Sequence, residues 1–179
     1  MLEKNKTWEL VDRPTDKPVI CVKWIYKTKL NLDGTVQKNK ARLVAKGYSQ
    51  KPGIDFNKTF APVARQDTIR TLVALAAQKG WKLFQVYRLK KALYGLKQAL
   101  RAWYEEINSY FTKVGFQRSP SEATLYVKAA ESGIIIVSLY VDDIIYIGSS
   151  KALMMEFKIE MMMQYEMTDL DLLHHFLGL

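Results

Sequence analysis

The chain has 179 residues, 49% of them hydrophobic, enough to bury a core in one or two domains. Its 27 Lys plus Arg against 18 Asp plus Glu give a formal charge of +9, which favours an anionic partner, nucleic acid first among them. No apolar run is long enough for a membrane span, no secretory signal is visible, and one cysteine excludes an internal disulfide and a cysteine zinc site. Cys21 is expected to be a small core residue in a reducing, intracellular compartment, cytoplasmic or nuclear. After loop signals at Pro14 and Pro18, residues 19–30 read as a strand. Lys23, Lys27 and Lys29 lie on one face and Val22, Trp24 and Tyr26 on the other. Asn31-Leu32-Asp33-Gly34 is a hairpin turn signal. The return strand, 35–47, puts Lys38, Lys40 and Arg42 on one face and Ala41, Leu43 and Ala45 on the other. Residues 17–46 hold eight basic side chains and one acid, Asp33. A solvated charged face is the bland reading; repetition of one sign on both arms supports an anion-binding surface equally well.

A helix follows, with Asp67 as its expected N-cap, Ile69, Leu72, Val73 and Ala76 as its apolar stripe, and Gly80 as its stop. Leu100, Trp103, Ile107, Phe111 and Val114 mark a second helix that ends at Gly115, with Trp103 and Tyr104 read as core packing rather than base-stacking residues. Residues 116–123 read as a loop, 124–128 as a strand and 131–133 as a turn. Residues 134–148 then place Asp142 and Asp143 between two runs rich in β-branched residues, the pattern of buried strands joined by a tight turn. Asp is a common turn residue, but two adjacent carboxylates repel, and one is pushed toward protonation unless a cation sits between them. Hard divalent ions such as Mg²⁺ take carboxylate oxygens together with substrate phosphates, and only a turn lets neighbouring residues reach one ion. Ser149 or Ser150 caps a last helix through Leu153, Phe157 and the Met-rich run 161–163, which is adaptable core or a mild interaction surface. His174 and His175 are adjacent and point apart in a strand, which argues against a joint metal site.

Tyr140-Val141-Asp142-Asp143 between apolar strands resembles the catalytic hairpin of reverse transcriptases. Trp24, Lys40-Ala41-Arg42-Leu43-Val44-Ala45-Lys46-Gly47-Tyr48, Gly53-Ile54-Asp55-Phe56 and Thr59-Phe60-Ala61-Pro62-Val63 resemble the fingers of the Ty1/copia retrotransposon type. The stretch Leu89-Lys90-Lys91-Ala92-Leu93-Tyr94-Gly95-Leu96-Lys97-Gln98, continuing to Tyr104, is a second match, and 167–170 with 176–178 resembles the segment that leads into the primer grip. Leu100 stands where the family usually has Pro, and Asp171 where it has Gly. The resemblance covers nearly the whole chain. It implies an α+β fold, the fingers (1–65) and palm (66–179) of a right-hand polymerase with an antiparallel palm sheet packed on helices, and no thumb or ribonuclease H segment. It further implies an RNA-directed DNA polymerase with two Mg²⁺ ions, an RNA or DNA template-primer and dNTP as partners, and residence in a retrotransposon particle. Asp142 and Asp143 would be the catalytic metal ligands; Lys40, Arg42 and Gln98 would hold the nucleotide; Lys23, Lys27, Lys38, Lys97, Arg101 and Tyr140 would contact nucleic acid.

One family element is missing. The resemblance implies a further catalytic Asp on a strand beside the hairpin, in a Leu-Asp-Val-type stretch near Leu83-Phe84-Gln85. Here Tyr87 occupies that position, and no carboxylate occurs between Asp67 and Glu105. A block of a few dozen residues is therefore expected to be absent near 85–86, leaving at most one weakly bound ion. Residues 83–89 are apolar enough to substitute as a strand, restoring packing but not the ligand; otherwise the hairpin sheet keeps an exposed edge. The expected outcome is an inactive polymerase-lineage domain, or a remnant that binds nucleic acid without catalysis.

Overall fold

The computed structural model describes residues 12–16, 18–31, 33–88, 94–165 and 167–173, with backbone alone at 86–88 and 168–172. The resembling stretches at 89–93 and 176–178, and the pair His174 and His175, lie outside the described residues. The chain divides into two compact units, Met1–Phe60 with Lys90–Trp103, and Ala61–Leu89 with Tyr104–Leu179.

In the first unit, β1 (Val22–Leu30) and β2 (Val36–Ala45) form a two-stranded antiparallel ribbon. Its turn is closed by the Asn31 and Gly34 amides, which donate to the Thr35 and Asn31 carbonyls at 2.8 and 3.0 Å. Gly34 supplies the positive φ, 83°, that the turn requires. β1 is exposed along its whole length, including Trp24 and Tyr26, whose rings stack at 6.3 Å. Cys21, expected in a core, is exposed because it precedes this open ribbon; its carbonyl accepts from the Lys46 amide at 2.8 Å. After β2 comes one 3-10 turn, Gly47–Ser49. The Ala45 amide donates to the Tyr94 carbonyl at 2.6 Å, and a side chain on either Gly47 or Gly95 would strike the other segment's backbone. Two glycines are thus needed for these backbones to touch.

The second unit holds a six-stranded, wholly antiparallel sheet. Its order is β4 (Gln117–Arg118), β5 (Leu125–Ala130), β6 (Gly133–Tyr140), β7 (Asp143–Gly148), β3 (Leu83–Arg88) and β8 (Met167–Leu172). The helices are α1 (Gln66–Lys79), the part of α2 (Ala99–Lys113) from Tyr104 onward, and α3 (Lys151–Gln164). Tyr126, Val137, Tyr146 and Phe84 stand in register across four strands. On this face Tyr126 meets Phe111 of α2 edge-on at 5.0 Å, and Tyr146 meets Phe157 of α3 at 5.0 Å. On the opposite face Ile147 packs on Leu72 and Ala76 of α1, and Ile145 on Ala64 and Ile69. Covering on both faces explains why residues 144–147 are apolar without alternation and fully buried. Each buried Ile contributes on the order of 2 kcal/mol, so the hairpin is fixed by its flanks rather than by its turn.

Several local expectations are corrected. Arg65, not Asp67, is the N-cap of α1, without a side-chain cap bond; Asp67 sits in the first turn, where its charge still suits the helix dipole. Gly80 ends the helix in the left-handed conformation as read, at φ 65°. Ser150 caps α3, its hydroxyl accepting from the Leu153 amide at 3.4 Å, while Ser149 accepts from the Ile134 amide at 2.9 Å. The 116–123 loop includes the short strand β4. Residues 83–88 do pair as a strand, on both sides, so β7 has no exposed edge.

Candidate active site and nucleic-acid interface

Tyr140 and Asp143 close the β6–β7 ladder, leaving Val141 and Asp142 as a two-residue turn. Val141 has φ 54°, the only positive φ of a non-glycine among the described residues. Positive φ at the first central position alone is the II′ pattern that Gly usually fills, so a β-branched residue there stores strain. Strain of this kind concentrates at functional sites. Tyr140 is half-buried against the Ala64, Ile69 and Ile145 cluster. Asp142 is partly exposed at the turn.

Asp143 begins β7 on the face shared with Ile145. Burial pushes its carboxyl up to about 6, helped by repulsion from Asp142, while a hydrogen bond from Gln85 opposes the rise. Its Oδ1 is buried without a hydrogen-bond partner. Such an atom suits a cation or a proton. Directly across the ladder from Asp143 stands Tyr87 of β3. Among the described residues, no three His, Cys, Asp or Glu side chains converge as a metal-ligand group. Gln85 is 9% exposed and was not foreseen as a partner; a polar residue inside an apolar strand was the one available signal.

In the first unit, the register sets Lys27 opposite Lys40, Lys29 opposite Lys38, and Lys23 on the same face. Arg42 pairs with Ile25 on that face, and its guanidinium lies 4.6 Å from the Tyr94 ring centre. Like charges placed directly opposite destabilise a ribbon. Gln98 is held by two contacts: it accepts from Gln50 Nε2 at 3.0 Å and donates to the Asp55 carbonyl at 3.4 Å. Gln50, 4% exposed and unforeseen, also accepts from the Lys97 amide at 2.8 Å. The Lys97 ammonium donates to the Gln50 carbonyl at 3.2 Å and sits 5.0 Å from the Phe56 ring. Arg101 donates to the Phe60 carbonyl at 3.2 Å. Lys97, Gln98 and Arg101 are therefore anchored locally, whereas Lys23, Lys27 and Lys38 are exposed. Trp103 is buried, as read.

Comparison with known proteins adds the family. The model of the family "Reverse transcriptase (RNA-dependent DNA polymerase)" matches in two segments, residues 5–86 and 83–179. The Pol polyprotein of transposon RE1 from Arabidopsis thaliana is 34% identical over 208 residues, covering 98% of this chain and 14% of that protein. That of transposon TNT 1-94 from Nicotiana tabacum is 33% identical over 211 residues, covering 99% of this chain and 16% of its own. An uncharacterized mitochondrial protein, AtMg00820 of Arabidopsis thaliana, is 51% identical over 77 residues, 43% of this chain and 45% of its own. No solved structure matches. The chain spans about one seventh of the polyprotein relatives, and their alignments run longer than its 179 residues. The chain thus belongs to the reverse transcriptase family, as a domain of the Ty1/copia-type retrotransposon lineage.

Proposed function

We propose that this chain is a reverse-transcriptase domain that has lost nucleotidyl transfer and keeps nucleic-acid binding. In this reading the two units are fingers-like and palm-like. The observation that carries it is Tyr87 opposite Asp143, in a chain with no carboxylate between Asp67 and Glu105. Two-metal transfer needs carboxylates from two strands, so that one ion activates the attacking hydroxyl and the other neutralises the leaving group. Asp142 and the orphaned Oδ1 of Asp143 fit one Mg²⁺, not a pair. A bound Mg²⁺ supplies charge neutralisation there; the chain's own contribution is to present two carboxylates on a rigid turn. The family match breaking at 83–86, and alignments exceeding the chain length, support an internal loss at the same junction.

The binding surface in this reading is the face of Lys23, Lys27, Lys29, Lys38, Lys40 and Arg42, taking an RNA or DNA strand through its phosphates. Templated primer extension with Mg²⁺ tests the lost activity: no product above a no-enzyme control is expected. Product that disappears in both Asp142→Asn and Asp143→Asn would overturn the proposal. Binding to single-stranded oligonucleotides is expected to weaken with salt, with a slope near −4 if about six phosphates are neutralised. Salt-independent binding would exclude this face. Sequencing gene and transcript across Gln85–Val86 tests the loss itself; an in-frame block containing a Leu-Asp-Val-type stretch would restore the polymerase reading.

A further inference from the structure

We propose that the second unit carries a separate site for a planar aromatic anion the size of a nucleoside monophosphate, on the sheet face opposite Asp143. Side chains alternate along β7, so Tyr146 projects from the face away from Asp143, Ile145 and Ile147. Phe84 of β3 pairs with Tyr146 in register, and the rings stack with centroids 5.4 Å apart and planes 17° from parallel. Above them lies a cavity of about 350 Å³, roofed by Met154 and Met155 of α3. Its remaining described walls are Lys82, Lys151 and Lys158, with no carboxylate among them.

The local sequence explains the shape. A side chain on Gly148 would lie 2.9 Å from the Ile134 carbonyl and 3.0 Å from Met154, so glycine there lets α3 sit at this depth over β7. Ser150 starts the helix beside the cavity, which puts Lys151, Met154, Met155 and Lys158 on one side at spacings of three and four residues. The chemistry is two-part. The partly exposed Phe84 ring, backed by the buried Tyr146, and the exposed Met155 thioether offer a polarizable surface for a planar ring, and methionine adapts to its outline. Lys82 and Lys151, both exposed in the lining, concentrate an anion there. The volume lies at the lower end of small-molecule pockets and suits a mononucleotide rather than a larger cofactor. The candidate nucleotide residues Lys40, Arg42 and Gln98 belong to the other unit, and none of them lines this cavity.

Adenosine 5′-monophosphate is the probe, titrated into the full chain by calorimetry, with Met154 and Met155 methyl signals followed by NMR. Saturable binding at about 1 mM or tighter is expected, with shifts at both methyls. Adenosine and inorganic phosphate are each expected to bind at least tenfold more weakly. The doubly substituted K82E/K151E chain, altered at two exposed positions, is expected to lose binding tenfold or more while unfolding at the same temperature. Phosphate binding as tightly as the nucleotide would overturn the aromatic half of the proposal. Nucleotide binding unchanged in K82E/K151E, methyl signals that do not move, or no saturation by 10 mM would overturn the whole.

Discussion

Replacing Asp143 by Asn is expected to stabilise the protein, and only above the pH at which the carboxyl ionises. The carboxyl titrates near 6 in the folded chain against an ordinary value of 3.8. Its folded form therefore holds a proton more tightly than its unfolded form. Stability from this group is complete below pH 4, falls as pH rises through 6, and is level beyond. A gap of about two pH units corresponds to roughly 3 kcal/mol, reduced to about 1–2 kcal/mol because part of the carboxylate faces solvent. Asn keeps the shape and can still accept from Gln85, but never ionises. At pH 7.5 the Asp143→Asn chain is then expected to melt about 3–6 °C above the parent, with the two curves merging near pH 4. Thermal and urea unfolding by circular dichroism at half-unit steps from pH 4 to 8 measures this directly. A variant less stable than the parent at pH 7.5, or a difference that does not change with pH, would refute the placement of a buried, underpaired carboxylate.

Other substitutions probe the remaining features. Ser138 is fully buried and its hydroxyl has no hydrogen-bond partner, so Ser138→Ala is expected to raise the urea midpoint, by about 1 kcal/mol of stability; a fall would mean the hydroxyl is satisfied. Gln50→Ala leaves the Lys97 amide without its partner and Gln98 with only its Asp55 contact, and should cost about 1–3 kcal/mol by urea unfolding; an unchanged midpoint would make the Gln50 contacts incidental. Lys27→Glu turns a like-charge pair with Lys40 into an opposite one, so it should steady the ribbon by about 0.2–1 kcal/mol. The same change should weaken oligonucleotide binding and flatten its salt slope by about one; tighter binding, or loss of both properties, would contradict the assignment.

What could be read from the sequence was what is local. The apolar spacing of α2, the glycine stop of α1 and the serine cap of α3 each depend on a few neighbouring residues, and each appears in the structure. The acidic turn of the β6–β7 hairpin was equally legible, because two buried strands leave few roles for adjacent carboxylates. Long-range pairing was not. That the basic faces of β1 and β2 coincide follows from the register, and neither strand alone encodes it. Gln50 and Gln85 gain their partners from residues 48 and 58 positions away, so no window of neighbours reveals them. Arg65 caps α1 without a side-chain bond, so no polar cap residue marks the start of the helix, and Asp67, a residue of the capping type, lies two positions on in the first turn. Cys21 misled because its type usually lies in cores, whereas the ribbon it precedes is open.

The double pairing of β3 has a further meaning. A ladder is assembled through amide and carbonyl groups that every residue but proline carries, so β3 can take its slot whatever stands at position 87. Structural integrity and chemical competence are consequently under separate control in this sheet. On the proposed function, such a strand lets the chain fold, and so escape the proteolysis that removes misfolded chains, without supplying the chemistry of copying. Abundance in a cell would then say little about transposition.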